Sequence, residues 1–322
     1  MASIAKGFLA ALALGTMITG FAADDFPSRP IRIITPMAAG GLSDRAARLI
    51  TDALGRQLGQ SVVVENRSGA GGVIGTEVAA RAQADGYTLV VSMASTWSII
   101  PAVKKASYDP MKDFVPLGQI WYAPQALVVR SQSSMKTVAD LVAYAKANPG
   151  KLSFASAGNG TSTHLSILLL LREAGIKVIH VPYRSGGQSV ANVLGGQVDA
   201  VFSDISALAP HVRSGALTAL AVTAPRRSPL LPDVPTMAEA GLPGVSTINW
   251  FGLHALAGTP PEVLDRLKTA VRAAQLDPAY QAMLVKNAMS TGTVGAERFA
   301  EMIQEEARRL APIVRSSGIT FN

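Results

Sequence analysis

The chain has 322 residues, 48% hydrophobic, 16% charged and 6% aromatic, with a net charge of +7 and no cysteine. That length and apolar content predict about two domains with a sizeable core and exclude disorder, and the missing cysteine excludes disulfides, thiolate metal sites and cysteine nucleophiles. The basic residues are scattered in pairs such as Lys104-Lys105 and Arg226-Arg227. No basic stripe with interleaved aromatics is present, which argues against a nucleic-acid partner.

In chain order, residues 1–22 combine Lys6, a short apolar run and small residues at the exit. This is the pattern of a cleaved secretory signal peptide, with an apolar run shorter than the ~20 residues that span a bilayer. The expectation is an exported, periplasmic protein. Next, β-rich runs alternate with amphipathic stretches. IRIITP (31–36) precedes a helical pattern at 43–58; SVVVEN (61–66) precedes a glycine cluster and TEVAARAQA; YTLVVSM (87–93) is a third strand. ALVVR, KLSFASA, KVIHVPY, VDAVFSD and LTALAVT supply further strands, most of them separated by helical segments. Such alternation predicts an α/β fold with parallel sheets covered on both faces.

Several helix starts are marked. Thr137 with Asp140 predicts a capped helix to about Ala147, stopped by Asn148-Pro149-Gly150; Asp277-Pro278 opens a short one. Thr259-Pro260-Pro261-Glu262 predicts a capping threonine ahead of VLDRLKTAVRAAQ, and a long amphipathic stretch from Ala296 to about Arg315 closes the chain. The strand series restarts near Ala126 and ends near Thr223, before proline-rich text. The economical organisation is a first domain of residues 23–122 and 224–322 with an inserted second domain of residues 123–223, and a hinge at the two crossovers. Ligands of such folds bind in the crevice at the strand C-termini.

Enzyme signatures are thin: no G-x-S-x-G, Walker A loop or H-E-x-x-H occurs, and the four histidines lie far apart in sequence. Ser133–Lys136 matches S-x-x-K but sits directly before a helix start. The run SGAGGVIG (68–75) is one residue too long for a dinucleotide fingerprint and reads as a tight turn. Neither a catalytic residue, a cofactor nor a metal is implied.

Two glycine-rich strand-to-helix passages remain. The first contains Met37, Ala38, Ala39, Gly40, Gly41, Ser43 and Asp44; the second contains Ala157, Gly158, Gly160, Thr161, Ser162, Thr163 and His164. Each joins bare backbone to the positive end of a helix, an anion-binding device in which Ser and Thr hydroxyls add donors. Ordinary helix capping, with Asp44 itself as one cap, accounts for either passage taken alone.

At these residues the sequence resembles the periplasmic receptors of tripartite tricarboxylate transporters, the Bug receptors. The match runs through PMAAGGLSDRAAR, VVVENRSGAGGVIGTE, SAGNGTSTHL, VPYRSGGQSVANVLGGQVDAVFSD and DVPTMAEAGLPG, in the family's order and over nearly the whole chain after the signal segment. The resemblance implies a type II-like, two-domain periplasmic binding protein: two mainly parallel sheets flanked by helices, with a hinge between domains. It further implies a monomer that closes on a small carboxylate and delivers it to a membrane permease. Residues 38–44 and 157–164 would pinch a ligand carboxylate through backbone N–H groups, with Asp204 near the ligand. Where the family reads T-H-x-x-N-P, this chain has Thr96-Trp97-Ser98-Ile99-Ile100-Pro101, and it lacks the aromatic residue often found at Met37. With Ser95 and Trp97 as candidate contacts, stacking on Trp97 would favour an aromatic carboxylate such as terephthalate, benzoate or nicotinate. Trp97 in the core is the alternative. An aliphatic di- or tricarboxylate receptor, and a ligand-dependent input protein for a membrane sensor kinase, are the alternative functions.

Overall fold

In a computed structural model, the protein is described for residues 26–103, 106–287, 289–290 and 293–316. The segment read as a signal peptide lies outside the described residues. Among those described, no helix is long and apolar enough to cross a membrane.

The first half opens with β1 (Ile31–Thr35), α1 (Leu42–Leu58), β2 (Val62–Asn66), α2 (Val73–Ala80), β3 (Thr88–Met93) and α3 (Ile100–Val103), followed by the long strand β4 (Phe114–Arg130). Then come α4 (Val138–Ala147), β5 (Ser153–Ser156), α5 (Ser162–Ala174), β6 (Ile179–Pro182), α6 (Gly186–Leu194), β7 (Ala200–Asp204), α7 (Ile205–Arg213) and β8 (Leu217–Val222). The chain closes with β9 (Ile248–Leu256), α8 (Pro261–Leu276), α9 (Pro278–Lys286) and α10 (Ala296–Ser316).

The strand order is β2-β1-β3-β9-β4-β7-β5-β6, with β8 also on β4. Pairs β1/β2, β1/β3, β5/β6 and β5/β7 are parallel, as βα alternation dictates, while every pair that involves β4 or β9 is antiparallel. The path divides into a first sheet, β2-β1-β3-β9 with the first part of β4, and a second, the rest of β4 with β8, β7, β5 and β6. Each is mixed, parallel where strand follows helix and antiparallel where the chain passes from one sheet to the other and returns. β4 is that passage. It pairs with β9 from Phe114 to Pro124 and with β7 and β8 from Gln125 to Arg130. Pro116 is tolerated because the register with β9 shifts between it and Gly118, and Pro124 because it stands where the pairing with β9 ends and that with β7 begins.

Strand β9 was not expected from the sequence. INWFGLHAL is almost wholly buried, so it has no polar alternation to mark it as a strand. On one face of the first sheet, α1 and α8 bury Ile50, Leu54, Leu267 and Val271 against Trp121 and Phe251. On the other, α10 contributes Phe299, Ile303, Leu310 and Val314 to a core that runs through Val90 and Trp97 to Leu127, Phe154 and Leu170. A third cluster lies beneath α6 and α7, around Val193, Val201 and Leu208.

The local signals of α4 and α9 hold. Thr137 and Asp140 form a capping box, and Asp277 accepts from the Ala279 and Tyr280 amides. The threonine expected to cap α8 does not: Pro260 occupies that position, and the Thr259 hydroxyl turns back to the Leu256 carbonyl at 2.8 Å. With prolines at the following two positions, fewer N–H groups remain for a cap to bind. The glycine cluster has a direct packing role. A Cβ on Gly75 would stand 2.6 Å from Pro36 Cα, so only glycine lets α2 lie against the passage out of β1.

Candidate functional site

The register of β4 places the strand ends. The end of β3 is tied to it through Met93↔Phe251 and Phe251↔Trp121, and the end of β7 through Asp204↔Gln125. Trp121 and Gln125 are separated along one strand by only ~13 Å at ~3.3 Å per residue. The C-terminal ends of the parallel strands of both sheets thus converge on the stretch where β4 changes sheets. The loops after β1 and β5, which carry the two glycine passages, arise from these converging edges.

In the first passage Asp44 is the organiser. Its carboxylate accepts from the Gly40 amide (2.9 Å), Arg48 Nε (2.9 Å) and Asn66 Nδ2 (3.0 Å), and Asn66 also donates to the Met37 carbonyl (3.1 Å). Burial would raise the Asp44 pKa, but the donors from Arg48, Gly40 and Asn66 outweigh it, so the group lies below its ordinary value and stays ionised. Asp44 thus holds the loop with its negative charge already engaged; as a side chain it is no partner for a second carboxylate, and the cap position belongs to Gly41. Gly40, at φ +79°, makes the left-handed turn that aims its amide at Asp44. Ser43, expected as a hydroxyl donor, turns inward to Thr35 Oγ1 at 2.9 Å. The Gly41 amide donates to the Ala38 carbonyl at 3.3 Å. Among the described residues no hydrogen bond is made by the amides of Ala38, Ala39, Leu42, Ser43 and Asp44, which surround the start of α1. Ala38 and Ala39 are exposed, and Met37 is half-buried against the α1 core.

The second passage follows the same plan. The Ala157 amide donates to Thr163 Oγ1 (3.0 Å), Gly158 to Ser156 Oγ (3.1 Å) and Gly160 to His164 Nδ1 (3.2 Å). Thr161 Oγ1 donates to the Gly158 carbonyl (2.8 Å) and accepts from the His164 amide, capping α5. The Thr161 and Thr163 hydroxyls, expected to meet a ligand, therefore shape the loop. The amides of Asn159, Ser162 and Thr163 make no hydrogen bond among the described residues. The His164 ring stacks on His180 with centroids 3.8 Å apart and 15° between planes. Burial, with the charge of His180 second, pushes His164 down to about 3, so it is neutral near pH 7 and free to accept at Nδ1.

Asp204 is buried at the end of β7, and its carboxylate is reached by Asn249 Nδ2 at 3.4 Å. Burial pushes it up to about 7, against the Asn249 hydrogen bond. Ser95, half-buried, opens the otherwise buried helical turn after β3. Trp97 is a correction: it is 2% exposed, with Tyr108, Phe114 and His254 around its ring at 6.5, 5.2 and 4.8 Å, and it presents no face for stacking a ligand. Asn66, His180, Gln125 and Asn249, which brace the site, were not singled out from the sequence. Asn66 ends a strand within the quoted VVVENRSG run; the others carry no local signal and act through contacts remote in sequence.

The family described as "Tripartite tricarboxylate transporter family receptor" matches residues 46–319. Protein BugT of Bordetella pertussis (strain Tohama I) is 35% identical over 301 residues, covering 92% of this chain and 91% of that protein. Among solved structures, R. palustris Rpa4515 with adipate superposes with a TM-score of 0.81 at 32% identity, covering 92% of this chain and 99% of that one. MatC from Rhodopseudomonas palustris with bound malate gives 0.77 at 33% identity, covering 90% and 100%. These relatives are solute-binding receptors, not enzymes. The chain belongs to the tripartite tricarboxylate transporter receptor family of periplasmic solute-binding proteins.

Proposed function

We propose that this receptor captures a small carboxylate between the loops at residues 38–44 and 157–164 and delivers it to a membrane permease. The observation that carries the reading is the pair of helix starts, α1 and α5, where the amides of Leu42, Ser43 and Asp44 and those of Ser162 and Thr163 have no hydrogen-bond partner among the described residues. Each terminus contributes ~0.3–1 kcal/mol toward an anion when exposed and up to ~2 kcal/mol when partly buried. The lobe of residues 123–223 closes on the lobe formed by residues 23–122 and 224–322, and a ligand bridging both loops favours the closed form because only that form offers both sets of donors.

An aliphatic dicarboxylate is the better ligand class. The aromatic preference rested on Trp97 as a wall, and that ring is packed in the core. Solved relatives at 32% and 33% identity carry adipate and malate. The test is a thermal-shift panel on protein stripped of carried-over ligand, with adipate, malate, benzoate, terephthalate and the matching amides. A ligand at 100 times its Kd adds ~2.7 kcal/mol. A shift of several degrees with adipate or malate, and none with the diamides, is expected. Shifts confined to benzoate and terephthalate would overturn the aliphatic reading, and equal shifts with acids and amides would overturn the carboxylate pincer.

A further inference from the structure

Beneath the first turns of α5, five polar side chains are buried together: Gln125 on β4, Ser162 and Ser166 on α5, Thr223 after β8 and Thr247 before β9. Gln125 Nε2 donates to Ser162 Oγ at 2.9 Å, and its Oε1 accepts from Ser166 Oγ at 2.6 Å. Ser166 has one hydroxyl hydrogen, which faces Gln125 Oε1 at 2.6 Å and, at the longer 3.0 Å, the Ser162 carbonyl, so the 2.6 Å contact with Thr247 Oγ1 is a bond that Thr247 donates. Thr223 Oγ1 donates to the Thr247 carbonyl (2.7 Å) and accepts from the Gln125 amide (3.1 Å), while the Thr223 amide donates to the Gln125 carbonyl (2.8 Å). β4, the exit of β8 and the approach to β9, the segments that connect the sheets, are thereby joined to α5 through one cluster.

For packing alone, apolar side chains would fill this space. The polar cluster adds direction, because each hydrogen bond fixes which atom faces which. Ser162 Oγ accepts from Gln125, and no acceptor for its own hydrogen is found among the described residues. The amides of Ser162 itself and of the next residue, Thr163, likewise make no hydrogen bond among the described residues.

We propose that Gln125 is a positioning residue of the carboxylate site: it clamps the start of α5 to the connecting segments and leaves the Ser162 hydroxyl hydrogen available to the ligand. The inference rests on the carboxylate reading above for its second half only; the clamp stands independently of any ligand. Two measurements on the full mature chain separate them. Hydrogen exchange of the ligand-free protein compares wild type with Gln125→Met, which keeps the side-chain volume and removes both bonds. Amides in the first two turns of α5 are expected to exchange at least tenfold faster in the variant, with those of α1 and β1 unchanged. No change in α5, or an equal rise in both sheets, would overturn the clamp.

The second measurement is adipate affinity by calorimetry for wild type, Ser162→Ala, Gln125→Met and the double variant. Each single variant is expected to weaken binding about tenfold and the double variant no more than twofold further; fully additive losses would overturn action through Ser162. Gln125→Glu serves where the methionine variant does not fold: it still accepts from Ser166 but takes the Ser162 hydrogen, so adipate weakens while α5 exchange stays near wild type. If wild type does not bind adipate, the adipate reading fails, and the exchange result alone decides the clamp.

Discussion

A single N–H group is the unit on which the binding argument turns, and Leu42 offers a way to remove one. Leu42 is the first helical residue of α1, following Gly41 at φ −72°, ψ 170°. Proline is well tolerated there, since that position lacks an intrahelical N–H bond and the preceding residue is already extended. Leu42→Pro is expected to leave the melting temperature within a few degrees of wild type and to weaken adipate or malate about tenfold, read by calorimetry; unchanged affinity would remove the α1 terminus from the site. Trp97 makes the opposite prediction. Trp97→Ala opens a cavity in the core around Tyr108, Phe114 and His254 and should cost ~3–5 kcal/mol of stability. The ratio of benzoate to adipate affinity, measured at low temperature, is expected not to change.

Among the elements, α1 shows how a helix start is left without a side-chain cap. A Ser, Thr or Asp cap would normally consume the first amides. Here Asp44, in the first turn, reaches back only to Gly40, and Asn66 at the end of β2 holds both Asp44 and the Met37 carbonyl. Asp44→Ala removes three hydrogen bonds to a charged group, but the exposed Gly40 and Arg48 donors turn to water, so the net loss is near that of one such bond, ~1.5–3 kcal/mol. Thermal unfolding at pH 7 is expected to show a loss of ~2 kcal/mol or more, together with faster exchange at residues 38–41. The sequence makes these passages visible as glycine-rich strand-to-helix turns but does not tell which donors the loop keeps for itself. Ser43, Thr161 and Thr163 are polar and well placed in the chain, yet the Ser43 hydroxyl turns to Thr35 at the end of β1, and those of Thr161 and Thr163 bond within the loop that carries the left-handed Gly158 and Gly160.

For the molecule as a whole, buried titrating groups set opposing pH trends. His164 and His254 are both pushed down to about 3 from 6.5 by burial, so the unfolded state binds more protons between about pH 3 and 6.5, and stability rises with pH across that window. Asp204 is pushed up to about 7 from 3.8, so the folded state binds the extra proton between about pH 4 and 7, and its contribution is lost as pH rises. Asp204→Asn removes the second trend. The variant is expected to match wild type near pH 4 and to melt several degrees higher at pH 8; a melting temperature equal to wild type at both would show that Asp204 is not held neutral by burial.

The order of βα units, the covering of parallel strands by helices, the caps of α4 and α9 and the two glycine passages were determined by the sequence itself, because each depends on residues within a few positions of one another. Tertiary structure decided the rest. β9 became a strand only by lying between β3 and β4, β4 became the bridge between sheets through its change of partner at Pro124 and Gln125, and Trp97 went to the core because Phe114 and His254 surround it. The stacking of His164 on His180, and the meeting of Gln125 with α5 and Thr223, join residues with no local sequence relation. Local periodicity and capping chemistry act over a turn or a strand, whereas the choice of which donor faces a ligand and which is consumed within the fold depends on neighbours brought together by the sheets.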